Sequence, residues 1–372
     1  MQKIIHIISS INRGGAENQM VNFINHSNTN KHFIITLLKS DELKEDIKDK
    51  NIEIFCLNLK ENLLNKILLP FKLYKIIRKI NSTKIFCWMY HACLISCCLK
   101  ILLNLNIYWL IRHGSPFLPY VSYKNYFINY ILAVLSYLIP NKIIYCSNYS
   151  LSQHQKFGYS KKYSTVIYNG YDSKKFYIDF EIKNNFKIKN NIPINYFIIG
   201  LLARFHKVKN HKLLFESLKI LQIKYPRFKY KLLLAGRDIN KENNQLIDLL
   251  KKNLIDDYYL FDKINNTYSF YNKLDLHVLP SINESFPNVV CESLLCGVDS
   301  LAPDVGASKE ILINKKYILD KLEPEILAEK IYEYYLFYNK ISNKNVYSDN
   351  LHKLTYERFN IQSFILNYNK II

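Results

Sequence analysis

The sequence predicts an α/β protein built from two doubly wound domains in tandem, each a parallel sheet covered by helices, with a cleft between two lobes. The chain has 372 residues, more than one ordinary core needs and enough for two. Short apolar runs of strand length alternate with longer stretches at helical period. That alternation lapses once, in a polar stretch near residues 173–195, and then starts again.

In the first series, "KIIHIISS", "HFIITLL", "IEIFCLN", "KIFCWM", "IYWLIRH" and "KIIYCS" read as strands. "AENQMVNFINHS" and "KILLPFKLYKIIRKI", residues 66–80, carry the helical period between them. After "VIYNGYD" the chain becomes rich in lysine and asparagine without an apolar period, which places a linker there. The second series has "YFIIGLLAR", "KYKLLLAG", "YYLFD", "LDLHVLP" and "DSLAP" as strands, and "KNHKLLFESLKILQIKY", "ENNQLIDLLKKN" and "NVVCESLLCG" as helices. The domains expected are 1–180 and 190–350, followed by a helical end over 351–372. In such folds ligands sit beyond the carboxyl ends of the strands, so the loops there are the places to look for chemistry.

Six such stretches stand out. In "SSINRGGAENQ", Gly14 and Gly15 let backbone amides at a helix start approach an oxyanion; the plain alternative is a tight strand-to-helix turn. "GLLARFHKVKN" sets Arg204 and Lys209 five residues apart, two cations able to grip a diphosphate, or simply two exposed charges in a lysine-rich chain. "LPSINESFPNVVCESLLCG" puts Pro287 at the first turn of a helix, with the amides of Asn288, Val289 and Val290 free to meet an anion. Glu284 falls in the loop before that helix and Glu292 more than one turn inside it, among apolar neighbours. Carboxylates there suit sugar and ribose hydroxyls. "WLIRHGSP" ends a strand on His113, and "WMYHA" does the same with His91; a lone histidine is more often structural. "DVGASKEIL" is a glycine turn that either holds a ligand or only connects.

Composition narrows the classes. With 49% hydrophobic and 22% charged residues the chain is globular. The net charge of +20 is spread over scattered lysines, which fits a solvated surface, anionic lipid headgroups or, less well, nucleic acid. No signal peptide is read, and no apolar run is clean enough to span a membrane. The eight cysteines form no C-x-x-C pair and read as reduced and mostly buried. No D-x-D, P-loop, G-x-S-x-G or H-E-x-x-H motif occurs, so a metal-bound diphosphate, NTPase, hydrolase or zinc-protease site is not indicated.

Taken together, "GGAE", "NGYD", "GLLARFHKVKN", "LLLAG" and above all "LPSINESFPNVVCESLLCGVDSLAPDVGASKEIL" resemble the retaining glycosyltransferases of the GT-B fold, family 4, also called glycosyl transferases group 1. "WMYHA" with "WLIRHGSP" is similar to members that build bacterial surface polysaccharides. The resemblance implies two Rossmann-like domains facing a central cleft, the nucleotide sugar held mainly by the second, and a C-terminal helix packed back on the first. It also implies roles. Glu284 lies near the donor sugar, Glu292 on the ribose, Arg204 and Lys209 on the diphosphate, Gly15 near the phosphate and His113 by the reacting sugar. Gly14, Gly236 and the amides of Asn288, Val289 and Val290 complete the donor site. Ser285 in place of glycine, and Arg237-Asp238 after Gly236, depart from the pattern.

The function expected is transfer of a hexosyl or N-acetylhexosaminyl group, with retention and without metal or other cofactor, from a UDP- or GDP-linked sugar to a glycan or lipid-linked glycan. The enzyme would work in the cytoplasm, in peripheral contact with anionic membrane and without nucleic acid. Two alternatives stay open: a sugar-nucleotide epimerase of the same fold and a basic nucleic-acid-binding protein.

Overall fold

The computed structural model describes residues 2–40, 42–59 and 68–372. The chain divides into two compact units, one formed by Met1–Gly170 with Phe359–Ile372, the other by Tyr171–Arg358.

In the first unit seven parallel strands line up in the order β3-β2-β1-β4-β5-β6-β7. They are β1 (Gln2–Ile8), β2 (Asn30–Thr36), β3 (Glu53–Cys56), β4 (Lys84–Trp88), β5 (Asn106–Ile111), β6 (Lys142–Tyr145) and β7 (Ser164–Val166). Side chains alternate faces along a strand, so a strand covered on both sides is apolar at most of its positions. β1 shows the consequence. Ile5 and Ile7 join Ile85, Ile107 and Trp109 in one core, while Ile4 and Ile8 join Phe86, Trp88 and Leu110 in the other. Helices Leu69–Ile80, Met89–Leu102 and Tyr123–Leu135 pack side by side over the first core. Helix Gly15–His26 and the C-terminal helix Ile361–Asn369 cover the second, with Phe23 4.8 Å from Tyr368 between ring centres. Gly170 has no Cβ because one would lie 2.5 Å from Phe364.

The second unit repeats the scheme with six parallel strands in the order β10-β9-β8-β11-β12-β13. These are β8 (Phe197–Leu202), β9 (Tyr230–Ala235), β10 (Tyr258–Phe261), β11 (Leu276–Val278), β12 (Ser300–Pro303) and β13 (Ile318–Leu319). β8 is buried throughout and sits where the strand order reverses, the position at which α/β sheets open a crevice.

The sequence missed some elements. The edge strands β7 and β13 have three and two residues, too few to show a pattern. The stretch taken for a linker contains helix Phe180–Lys189. Its hold is electrostatic: Asp179 caps it, and Lys183 reaches Asp275 at 2.8 Å. Burial alone would pull the Lys183 ammonium down in pKa, but Asp275 and Tyr338 together outweigh it and hold it above the usual range. The predicted helix 66–80 is seen as Leu69–Ile80; residues 66 and 67 lie outside the described residues. The helical end splits at Asn360 into Lys344–Phe359 and Ile361–Asn369, Asn360 capping the second. Among the described residues no helix is long and apolar enough to cross a membrane. All eight cysteines are free thiols; Cys56 and Cys98 are exposed and the other six buried.

Candidate active site

The candidates in the second unit gather around the carboxyl ends of β8 and β11. β8 ends at Leu202, and the chain turns outward through Ala203 to Arg204, which is exposed and has no ion pair among the described residues. That turn is stitched to the one after β9: the Ala203 amide donates to the Ala235 carbonyl and the Phe205 amide to the Arg237 carbonyl, at 2.8 and 2.9 Å. Gly236 makes this approach possible. Its φ is +138°, and a Cβ there would collide with the Ala203 carbonyl. Gly236 thus fixes the backbone from which Arg204 projects.

Lys209 ends a single 3₁₀ turn, Lys207–Lys209. The Ile282 amide donates to the Val208 carbonyl at 2.8 Å, so this turn and the Glu284 loop move as one piece. Across it Lys209 Nζ donates to Glu284 Oε1 at 2.5 Å, with the two side chains 23% and 12% exposed. Sequence reasoning placed one residue on phosphate and the other on sugar; in the protein they form a single salt-bridged unit. An ammonium has three donors, so Lys209 keeps capacity for a ligand. The "DVGAS" turn also finds its purpose. Gly306, at φ +58°, lies so close to the Glu284 carbonyl that a Cβ could not fit, and the Ala307 amide donates to the Ser285 carbonyl at 3.0 Å. The turn supports the Glu284 loop from behind.

Helix Asn288–Leu295 follows, with Pro287 as its cap residue and not its first helical turn. The expected trio of free amides is corrected here. The Val290 amide donates to the Pro287 carbonyl at 3.0 Å, because the helix opens with a tight i→i−3 turn that uses it. Asn288 Oδ1 accepts from the Tyr171 hydroxyl at 2.5 Å. Glu292 is half-buried and accepts from the Tyr271 hydroxyl at 3.0 Å through Oε2. Burial raises its pKa, opposed by the Tyr271 bond and by Lys175. Tyr271, fully buried on helix Thr267–Tyr271, escaped sequence reasoning: it stands 21 residues before its partner with no pattern to link them.

Gly14, Gly15 and His113 belong to the first unit. Gly14 caps helix Gly15–His26 in extended conformation, and Glu17 folds its carboxylate back over that helix start. Burial raises the Glu17 pKa, and its own amide opposes the rise. His113 follows β5 by two residues and stacks on Tyr90, with ring centres 4.4 Å apart and planes 18° from parallel. Tyr90 shares a 2.7 Å hydrogen bond with His154, and the Ser150 hydroxyl donates to the His113 carbonyl at 2.6 Å. Burial, helped by His91, pushes His113 down to about 4, so the imidazole is neutral at pH 7. His91 is itself lowered, by burial and then by Lys124. Tyr90 and His154, 64 residues apart, were also invisible to sequence spacing. Among the described residues no three His, Cys, Asp or Glu side chains gather as a metal site.

Residues 182–342, which hold all the second-unit candidates, match the glycosyl transferases group 1. The whole chain overlays HepE from Anabaena, solved with UDP-glucose, at a TM-score of 0.84 with 16% identity, covering 100% of this chain and 99% of that one. The chain has the GT-B fold, and its residues 182–342 are those of a group 1 glycosyltransferase. Among relatives of this transferase is the N-acetylgalactosamine-N,N'-diacetylbacillosaminyl-diphospho-undecaprenol 4-alpha-N-acetylgalactosaminyltransferase of Campylobacter jejuni, 26% identical and aligned over 82% of this chain and 81% of its own. The capsular polysaccharide biosynthesis glycosyltransferase CapH of Staphylococcus aureus is 23% identical over 79% of each chain.

Proposed function

We propose that this glycosyltransferase moves a sugar from a UDP- or GDP-linked donor to a hydroxyl of a glycan or lipid-linked glycan during surface polysaccharide assembly, with retention and without a metal. The observation that carries the reading is the Lys209–Glu284 pair beside Arg204 at the strand ends, one helix turn and a loop away from Glu292. As the anomeric carbon–oxygen bond breaks, charge builds on the departing diphosphate. Arg204 and Lys209 supply fixed positive charge for it, the part a metal would otherwise play. Glu284, its one oxygen held by Lys209, keeps the other to orient sugar hydroxyls, and Glu292, anchored by Tyr271, does the same for the ribose. The acceptor oxygen bonds to the anomeric carbon on the face the diphosphate leaves, and its proton passes to a departing phosphate oxygen. His113, uncharged at neutral pH, suits hydrogen bonding and not charge stabilisation.

The relatives support transfer over the epimerase and nucleic-acid alternatives, since those named above are glycosyltransferases. The Campylobacter enzyme's name includes a diphospho-undecaprenol substrate, which supports a lipid-linked acceptor and work at a membrane surface. The test is a transfer assay with a panel of nucleotide sugars and a lipid-linked acceptor mimic in excess EDTA, with the product's anomeric configuration read by NMR. The expected result is an axial-to-axial α product and an undiminished rate. An inverted product, or loss of the rate restored by divalent cation, would refute retention or metal independence respectively.

A further inference from the structure

We infer that the outer face of the first unit's three-helix layer, centred on helix Tyr123–Leu135, docks on an anionic lipid bilayer; the inference deepens the lipid-linked-acceptor reading above and rests on it. This helix points Ile128, Leu132 and Ala133 into the core. Its other side should be polar, and is not. Tyr123, Phe127, Tyr130 and Val134, at i, i+4, i+7 and i+11, share one outward face and are all exposed, Tyr123 to 81% and Phe127 to 65%. Tyr120 before the helix and Tyr137 and Leu138 after it extend the patch, Leu138 being 76% exposed. Such a continuous apolar patch marks a partner surface.

Charge identifies the partner. No aspartate or glutamate occurs between Glu61 and Asp172, whereas lysines and arginines recur throughout that segment. In the same layer helix Leu69–Ile80 exposes Phe71 with Lys75 over its ring at 4.5 Å, and Arg78 and Lys79 are exposed beside it. At the far end of the aromatic patch a cleft of about 470 Å³ is lined by Tyr137, Ser160, Lys161 and Lys162. Lys161 and Lys162 are both exposed there, and two ammonium groups at one cleft suit a lipid phosphate. Tyrosine, phenylalanine and leucine set among lysines are the residues that settle at the headgroup boundary. A second copy of the chain would bring uncompensated positive charge against itself, and nucleic acid would have no use for Phe127, Val134 and Leu138. A contact lying in the interface also agrees with the lack, among the described residues, of a helix long and apolar enough to cross the bilayer.

The test is co-sedimentation of the full chain with vesicles of phosphatidylglycerol and phosphatidylcholine, compared with phosphatidylcholine alone. The wild-type chain is expected to bind the anionic vesicles and to weaken in high salt. Phe127→Ser/Tyr130→Ser/Leu138→Ser, and separately Lys161→Glu/Lys162→Glu, should each weaken binding by about tenfold or more. The charge reversals touch only exposed lysines, so they test the surface even if the serine variant folds poorly. Wild-type binding by both variants, equal binding to neutral vesicles, or a dimer broken by the serine variant with no effect on vesicles would overturn the inference. Transfer to a soluble acceptor separates the two claims. Activity without vesicle binding defeats only the docking surface, and vesicle binding without any transfer defeats the transferase reading.

Discussion

Between Glu61 and Asp172 the first unit carries no carboxylate side chain, whereas the second couples lysine to carboxylate repeatedly: Lys183 with Asp275, Lys209 with Glu284, Lys231 with Asp257. Both are parallel sheets clothed in helices, so the contrast is not one of scaffold. In the second unit these lysines pair within the fold, to fix a helix or hold a loop in place. In the first, Lys75, Lys161 and Lys162 face outward beside exposed aromatic rings, with no carboxylate in their own segment. Charge that already has a partner builds structure; charge that lacks one waits for something outside the chain.

The contrast can be broken most severely at the buried pair. Lys183→Met leaves Asp275, 8% exposed, without its cation and should lower stability by about 3–5 kcal/mol in urea unfolding. An equal effect from Lys161→Met, an exposed lysine of the first unit, would erase the distinction. Next, Lys209→Ala and Glu284→Gln should each reduce kcat/KM by roughly 100-fold or more, and the double variant should cost little more than either, because the two act as one unit. Steady-state kinetics with the preferred donor would read this; full additivity would mean independent roles. Gly236→Ala should cost about 2 kcal/mol, since alanine must hold φ near +138° against the Ala203 carbonyl, and should weaken donor binding through the Arg204 turn.

The smallest effect concerns Asp299, a second-unit carboxylate without a cation. Burial lifts its pKa to about 6, with Tyr347 and Tyr334 opposing the rise. The native state therefore holds a proton that the unfolded chain releases near pH 4, so this group's contribution is full below pH 4 and is lost as pH rises through 6. Asp299→Asn should flatten stability over that window and add ~1 kcal/mol at pH 7, the linkage gain being partly offset by a weaker bond from Tyr347. Thermal melts at pH 4, 5, 6 and 7 would show it.

Much of this was legible in the sequence, for physical reasons that differ by element. Strands such as β1 and β8 were readable because a strand buried on both faces leaves a nearly continuous apolar run, broken in β1 only by the buried His6. Helix Phe180–Lys189 was not, because a cap and an ion pair to a residue 92 positions away leave no local pattern. The candidate loops were picked out by the spacing of Arg204, Lys209, Glu284 and Glu292. Their coupling was hidden: nothing local says that Lys209 pairs with Glu284 across 75 residues, that Tyr271 anchors Glu292, or that Gly306 exists to let the Glu284 loop lie flat. The Val290 amide was misjudged because a tight first turn cannot be told from an open one by residue type.

The central claim is that the donor nucleotide is held by the second unit through Glu292 and Arg204. Isothermal titration of the intact protein with UDP and with GDP tests it most directly. One nucleotide should bind, and Glu292→Ala and Arg204→Ala should each weaken it by about tenfold or more, as loss of a charged hydrogen bond requires. Wild-type affinity in both variants would contradict the assignment.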